Sequence, residues 1–259
     1  MHILIFDSGL GGLTVHRPVR AARPDARITY LADDAVFPYG RLGEAELVAR
    51  VMEVIGAEIA RDVPDIIVNA CNTASTLVLP HLRARFDMPV VGTVPAIKPA
   101  AAMSQSRMFS VMATPGTVAR DYTRDLVDTF AGGCEVALVP CASLASLAEA
   151  ALRGEAVSDE ALLKEMQPAF VEHSGRRTDT VVLACTHYPL LLERMRALAP
   201  WPVTWVDPGP AIAKRVVQLV GAPADGVSAA GIGRMVFTSG TRPGPILARE
   251  LASRGLACG

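Results

Sequence analysis

The sequence predicts an α/β fold of parallel sheets flanked by helices and divided into two domains. Three observations predict it. Strand-like apolar runs alternate with helix-like stretches from one end of the chain to the other, two Pro/Gly-rich crossings interrupt them, and one strand–cysteine turn is written twice. A chain of 259 residues with 51% hydrophobic and 20% charged residues can bury an ordinary core. A net charge of -1 offers no broad electrostatic grip on nucleic acid or on an anionic membrane. No apolar run approaches the roughly 18 residues of a membrane span. The opening Met1-His2-Ile3-Leu4-Ile5-Phe6-Asp7 lacks a basic flank and a cleavage site, so it reads as a first strand, and a cytoplasmic protein is expected.

The elements follow in order. Strand 2–6 leads through glycines 9, 11 and 12 to a helix over 13–23, then strand 27–32. Leu47, Val48, Val51, Val54, Ile55 and Ile59 form a helical stripe over 44–62. Strand 65–70, a helix over 75–86 and a short strand 89–92 complete the first run. After Pro95 the pattern restarts with strand 108–113, helix 118–130, strand 134–139 and helices over 144–153 and 159–172. Strand 180–184, helix 190–199, strand 203–206, helix 210–220, strand 235–238 and helix 245–253 close the chain. Strands separated by helices of this length imply parallel pairing with right-handed crossovers. The crossings at 92–99 and 207–210 divide the chain into a first domain of 1–95 plus 207–259 and a second of about 96–206. One continuous sheet is the alternative.

The five cysteines are an odd count in a chain too long for a disulfide scaffold, so free thiols are expected. Two of them carry the echo. Ile66-Ile67-Val68-Asn69-Ala70-Cys71-Asn72-Thr73 and Val181-Val182-Leu183-Ala184-Cys185-Thr186-His187 each end a buried strand in Ala-Cys, then give a Thr and a helix. A cysteine at a strand end and helix start meets free N–H groups and the positive end of a helix dipole, which favours thiolate. Two buried inert cysteines, a shared metal site and a Cys–His nucleophile remain as other readings; neither turn has the C-x-x-C or H-x-x-x-H spacing of a metal site. The first turn, Asp7-Ser8-Gly9-Leu10-Gly11-Gly12, reads as a handle for an anion, because glycines let backbone amides approach a ligand. Asp7 could also cap the first helix, and His187 could be a satisfied core histidine.

These motifs resemble the cofactor-independent aspartate/glutamate racemase superfamily, and glutamate racemases within it. The matching pieces are Phe6-Asp7-Ser8-Gly9-Leu10-Gly11-Gly12, Phe37-Pro38-Tyr39-Gly40, Ala70-Cys71-Asn72-Thr73-Ala74-Ser75, the 90–99 stretch around Val94-Pro95, and Leu183-Ala184-Cys185-Thr186-His187-Tyr188-Pro189-Leu190. The resemblance implies two pseudo-symmetric α/β domains with the active site in the cleft between them. It implies an isomerase that interconverts L- and D-glutamate without pyridoxal phosphate, any other cofactor or a metal, supplying D-glutamate for peptidoglycan; an aspartate racemase or another two-cysteine racemase is the alternative. Cys71 and Cys185 would be the acid–base pair, Asp7 assisting Cys71, His187 assisting Cys185, with Glu149 the further acid. Ser8, Asn72, Thr73 and Thr186 would hold the substrate's amino and carboxylate groups, Tyr39 and Gly40 would close the pocket, and Thr114 and Thr117 would reach the side-chain carboxylate. Val94 stands where other members carry Glu, placing the chain with a Val-Pro subgroup. Some of that subgroup are activated by a UDP-linked muramoyl-alanine and carry an extra amino-terminal segment. With six residues before Asp7, that activation is not expected here. A homodimer is among the oligomeric states that the resemblance allows.

Overall fold

The computed structural model describes residues 1–224, 226 and 228–258. Among them the strands form a six-stranded parallel sheet, a four-stranded parallel sheet and a two-stranded hairpin. The six-stranded sheet runs Leu256–Cys258, Gly233–Phe237, Arg27–Ala32, His2–Asp7, Ile66–Asn69, Val90–Gly92. The four-stranded sheet runs Thr204–Val206, Thr180–Ala184, Met108–Ala113, Glu135–Pro140.

The two orders repeat one plan. In each, the first strand of the run lies centrally, the second strand flanks it on one side, and the third and fourth follow on the other side. Ile66–Asn69 and Thr180–Ala184 are therefore equivalent third strands, and the echo in the sequence is an echo in topology. Each sheet is buried on both faces, as helical crossovers require. Along His2–Asp7, Ile3 and Ile5 pack into one core while Leu4 and Phe6 pack into another. Along Thr180–Ala184, Val181 and Leu183 face one core, Val182 and Ala184 the other. Helices Gly209–Val220 and Pro245–Ser253 pack on the first of these cores through Ile212, Val216, Leu247 and Leu251.

Several expected elements shift, each for a local reason. The helix expected over 75–86 starts earlier, as Asn72–Arg85, and Cys71 is its N-cap. The helix expected over 118–130 is two, Pro115–Ala119 and Asp121–Phe130, parted by Arg120 in extended backbone. The helix expected over 159–172 ends at Met166; Pro168 then joins a tight turn at Gln167–Ala169, and the chain makes the hairpin Glu172–His173 with Arg176–Arg177. Its turn residues Ser174 and Gly175 both have φ above zero (52° and 72°), as a two-residue hairpin loop needs. The helix expected over 190–199 is Leu192–Leu198, preceded by the tight turn Tyr188–Leu191. Helix Ile97–Met103 and edge strand Leu256–Cys258 add to the expected elements.

Candidate active site

The glycine turn after the first strand meets the second cysteine turn face to face. Asp7, fully buried at the strand end, accepts the Gly9 N–H at 3.0 Å on one oxygen and the Thr186 hydroxyl at 2.9 Å on the other. Burial pushes the Asp7 carboxyl up, against the pull of His187, Thr186 and the Gly9 amide. Helix Leu13–Ala22 has no side-chain cap, so Asp7 is not capping it. The three glycines are needed for contact. A Cβ on Gly9 would lie 2.2 Å from Glu149 Oε1, one on Gly11 2.3 Å from His187 Nδ1, and one on Gly12 2.7 Å from the Tyr30 hydroxyl. This corrects the expected anion handle: the Leu10 amide donates to the protein's own Glu149 carboxylate at 2.8 Å. The loop amides face a resident anion.

Cys71 is also not as expected. Its sulfur caps helix Asn72–Arg85 by accepting the Ala74 N–H at 3.5 Å, and its thiol points at Ser8 Oγ, 3.5 Å away. A helix N-terminus should favour thiolate, yet burial, reinforced by the Asp7 charge, pushes the Cys71 thiol up to about 12. Desolvation outweighs the cap. In this closed arrangement Cys71 holds its proton.

Cys185 has different company. His187 Nδ1 lies 3.7 Å from its sulfur, and His187 Nε2 lies 3.1 Å from Glu149 Oε1. The other Glu149 oxygen accepts from Arg153 at 2.6 Å. Burial opposes charge on both partners. Even so, hydrogen bonds to Cys185 and Glu149 lift His187 to about 10, and those from His187, Leu10 and Arg153 hold Glu149 below the usual carboxylate range. The imidazole thus holds its charge between the Cys185 sulfur and the Glu149 carboxylate. His187 is buried and hydrogen-bonded, as a satisfied core histidine would be, and it also lies beside Cys185. When the ring is neutral, the Gly11 N–H, 3.1 Å from Nε2, is the alternative donor to it.

Both cysteines line one cavity of about 10 Å³, with Ser8, Tyr39, Gly40, Asn72, Thr73, Thr114, Thr186 and His187. That is close to the room one water needs, so an amino acid can enter only if the walls part. Asn72 Nδ2 is buried without a partner, a donor ready for a ligand's carboxylate. Thr73, Thr114 and Thr117 join their hydroxyls at 2.9 to 3.1 Å, with Thr114 at the cavity wall and Thr117 behind it. Asp7 and Glu149 also stand behind the wall and act on it through Thr186 and His187. Tyr39 is buried with its hydroxyl on Asp33, 2.5 Å away, and Gly40 packs against Thr114.

Some residues of the site carry no signal in the sequence. The Phe37 ring lies 5.2 Å from the His187 ring at a tilt of 41°, and Pro38 and Ala145 complete the wall. Asp33 carries no local signal, since Arg50 and Thr238 reach it only through the fold, whereas Arg153 stands four residues beyond its partner Glu149 on one helix. The larger cavity, about 870 Å³, lies beyond helix Leu13–Ala22 among Arg17, Leu190 and Arg254, and neither cysteine of the echo lines it. All five cysteines are free thiols. Among the described residues no group of three His, Cys, Asp or Glu is placed to hold a metal, and no helix is long and apolar enough to cross a membrane.

Paired thiols at equivalent strand ends, facing one enclosed space, define a class. Residues 14–216 match the family described as Asp/Glu/Hydantoin racemase, and the chain belongs to it. That span includes both thiols, Glu149 and His187; Asp7 and Ser8 precede it. The chain is 50% identical over 255 residues to the glutamate racemase of Brucella canis, covering 98% of this chain and 92% of that one. It is 52% identical over 239 residues to the glutamate racemase of Agrobacterium fabrum, covering 92% and 88%. Among solved structures, Escherichia coli glutamate racemase in complex with L-glutamate and the activator UDP-MurNAc-Ala superimposes with a TM-score of 0.90 at 40% identity, covering 99% and 96%. Glutamate racemase isoform RacE1 from Bacillus anthracis gives 0.82 at 25% identity, covering 99% and 96%.

Proposed function

We propose that this chain is a glutamate racemase that interconverts L- and D-glutamate with Cys71 and Cys185 as its two bases and supplies D-glutamate for peptidoglycan. The observation that carries the reading is the placement of the two thiols at the ends of equivalent strands of two sheets, opening into one cavity. We divide the chain accordingly into 1–95 with 207–259, and 96–206, with the cavity between them.

The chemistry explains the pairing. One sulfur, as thiolate, removes the α-proton from one face of the amino acid. The other, as thiol, gives its proton to the opposite face of the planar carbanion. The roles exchange for the reverse reaction. A single base would have to cross the substrate plane. Positioned acid–base groups supply roughly 10²–10⁴-fold, so the remaining acceleration comes from placement and electrostatics in a closed site. Asn72 and Thr73, with Ser8 and Thr186, hold the α-amino and carboxylate groups; the Thr114 and Thr117 hydroxyls meet the side-chain carboxylate; Tyr39 and Gly40 close over it. The substrate ammonium, arriving beside Cys71, offsets the Asp7 charge and brings that thiol into use.

Chiral chromatography after incubation with glutamate, aspartate and a hydantoin tests the reading. Turnover of glutamate is expected; turnover of aspartate alone overturns the substrate, and no exchange of the α-proton with deuterated solvent overturns the chemistry in favour of a binding protein. The E. coli structure contains an activator, and Val94-Pro95 stands in this chain. We therefore extend the reading to activation, against the expectation drawn from the amino terminus. Added UDP-MurNAc-Ala should raise the rate, and an unchanged rate sinks that extension.

A further inference from the structure

We infer that Arg153 is a positioning residue of the reaction: through Glu149 it fixes His187 against Cys185, and among the described residues no cation does the same for Cys71. The inference rests on the racemase reading and deepens it.

The local sequence puts Arg153 in place. Helix Leu144–Leu152 ends with Arg153 as its C-cap, and Gly154 follows at φ +82°. The Gly154 N–H donates to the Ala151 carbonyl at 3.0 Å and the Glu155 N–H to the Ala150 carbonyl at 2.9 Å. This left-handed helix stop satisfies the last carbonyls and fixes the residue before the glycine. Arg153 thus lies one turn beyond Glu149 on the same face, and its guanidinium meets Glu149 Oε2 at 2.6 Å.

Glu149 has little freedom of its own. Its other oxygen takes the Leu10 amide and faces His187 Nε2, while Gly9 backs the carboxylate so closely that a Cβ there would overlap it. The carboxylate is nearly enclosed, with 6% of its side chain exposed against 38% for Arg153. Arg153 is the point at which this buried charge is balanced from the solvent side. The other titratable groups that act on Glu149 and His187 include Asp7, Tyr30 and Cys185, none of them a cation. Without Arg153 a buried carboxylate beside Asp7 takes up a proton more readily, and His187 loses the anion on which its charged form leans. Cys185 then exchanges its proton more slowly. At Cys71 the comparable partner is Ser8, a neutral hydroxyl.

The experiment compares Arg153→Met and Arg153→Lys with the unmodified enzyme on α-deuterated L- and D-glutamate. Because the equilibrium constant between mirror images is one, kcat/KM must stay equal in the two directions, so the two primary isotope effects carry the information. Arg153→Met should lower kcat about tenfold, the scale of one partly exposed charge-assisted hydrogen bond, with KM nearly unchanged. Its isotope effect should rise in the direction where Cys185 removes the proton and fall towards one in the other. The acid limb of the kcat profile should move to higher pH, and Arg153→Lys should recover most of the rate. In a Glu149→Gln background, Arg153→Met should add little, because the two act as one unit. Isotope effects that stay as in the unmodified enzyme, or additive losses in the double variant, overturn the inference. If Arg153→Met fails to fold, the isotope effects of Arg153→Gln and Glu149→Gln decide it by the same criteria. Failure of the unmodified enzyme to racemise glutamate overturns the racemase reading instead, so the two failures are distinct.

Discussion

At Cys71 the strand runs straight into a regular helix, Asn72–Arg85, and the sulfur sits under the helix as its cap with a neutral hydroxyl beside it. At Cys185 the chain leaves the strand through a tight turn, Tyr188–Leu191, and the regular helix begins only at Leu192. That difference of one turn brings His187 round to Cys185, with Glu149 and Arg153 behind it. The topology is duplicated; the electrostatics are not. Burial and Asp7 keep the proton on Cys71, while hydrogen bonds to Cys185 and Glu149 keep one on His187.

The largest effect expected from breaking this comparison is at the thiols. Cys71→Ser and Cys185→Ser should each lower racemisation about 10²–10⁴-fold, since each removes one of two positioned acid–base groups. Their isotope effects should change in opposite senses: each raises the effect for the enantiomer that the altered side deprotonates. Near-normal turnover by either variant, measured by chiral chromatography, removes the two-base mechanism. Cys134→Ser and Cys258→Ser should leave turnover unchanged; neither of these thiols lines the cavity.

Next is the glycine turn, where the two halves of the site touch. Gly11→Ala puts a methyl 2.3 Å from His187 Nδ1 and 2.5 Å from Thr186 Oγ1. Overpacking of this kind costs about 1–3 kcal/mol, and the displaced imidazole should cost about tenfold or more in kcat. Equal turnover and an unchanged Tm would show that the turn yields and that the contact does not position His187.

A smaller effect belongs to the hydroxyl cluster. Thr114→Val removes one hydroxyl from the trio at the cavity wall and the N-cap of helix Pro115–Ala119. A lost hydrogen bond of about 0.5–1.5 kcal/mol corresponds to roughly a two- to tenfold rise in KM for glutamate. If aspartate and glutamate suffered alike, the cluster would not be reading the side-chain carboxylate.

The sequence makes some of this legible and hides the rest for identifiable reasons. Strands such as Met108–Ala113 and Thr180–Ala184 announce themselves because a strand buried on both faces is an unbroken apolar run. The two cysteine turns are legible because each keeps its polar neighbours within two or three residues of the sulfur. Helix Ile97–Met103 is hidden by Pro99, which reads as a breaker but sits in the first turn, where no intrahelical bond is lost. The thiolate expected at Cys71 fails because the helix end is local and the burial that overrides it is not. Glu149 is legible only through the resemblance, because its partner His187 lies 38 positions away; the i,i+4 pair of Glu149 and Arg153 looks like any exposed helix pair until the fold buries the carboxylate.

The gentlest test of the contrast is stability against pH. Folded His187 keeps its proton up to about pH 10, whereas the ordinary imidazole value is 6.5. Through this interval the unfolded chain releases a proton that the folded chain still holds, so folding loses stability as pH rises. The contribution is complete below 6.5 and gone above about 10. Cys71 adds the same sign over a later window, from the ordinary thiol value of 9.0 up to about 12. Tm should therefore decline from about pH 6.5 upward, and more steeply once the thiol window opens above 9. His187→Gln should flatten the earlier part of that decline, and Cys71→Ser the later part, each leaving the other in place. Scanning calorimetry across this range separates the two turns without any substrate. A Tm that rises from pH 7 to pH 10, or a single substitution that flattens both parts, would mean that the protons are not held where the geometry puts them.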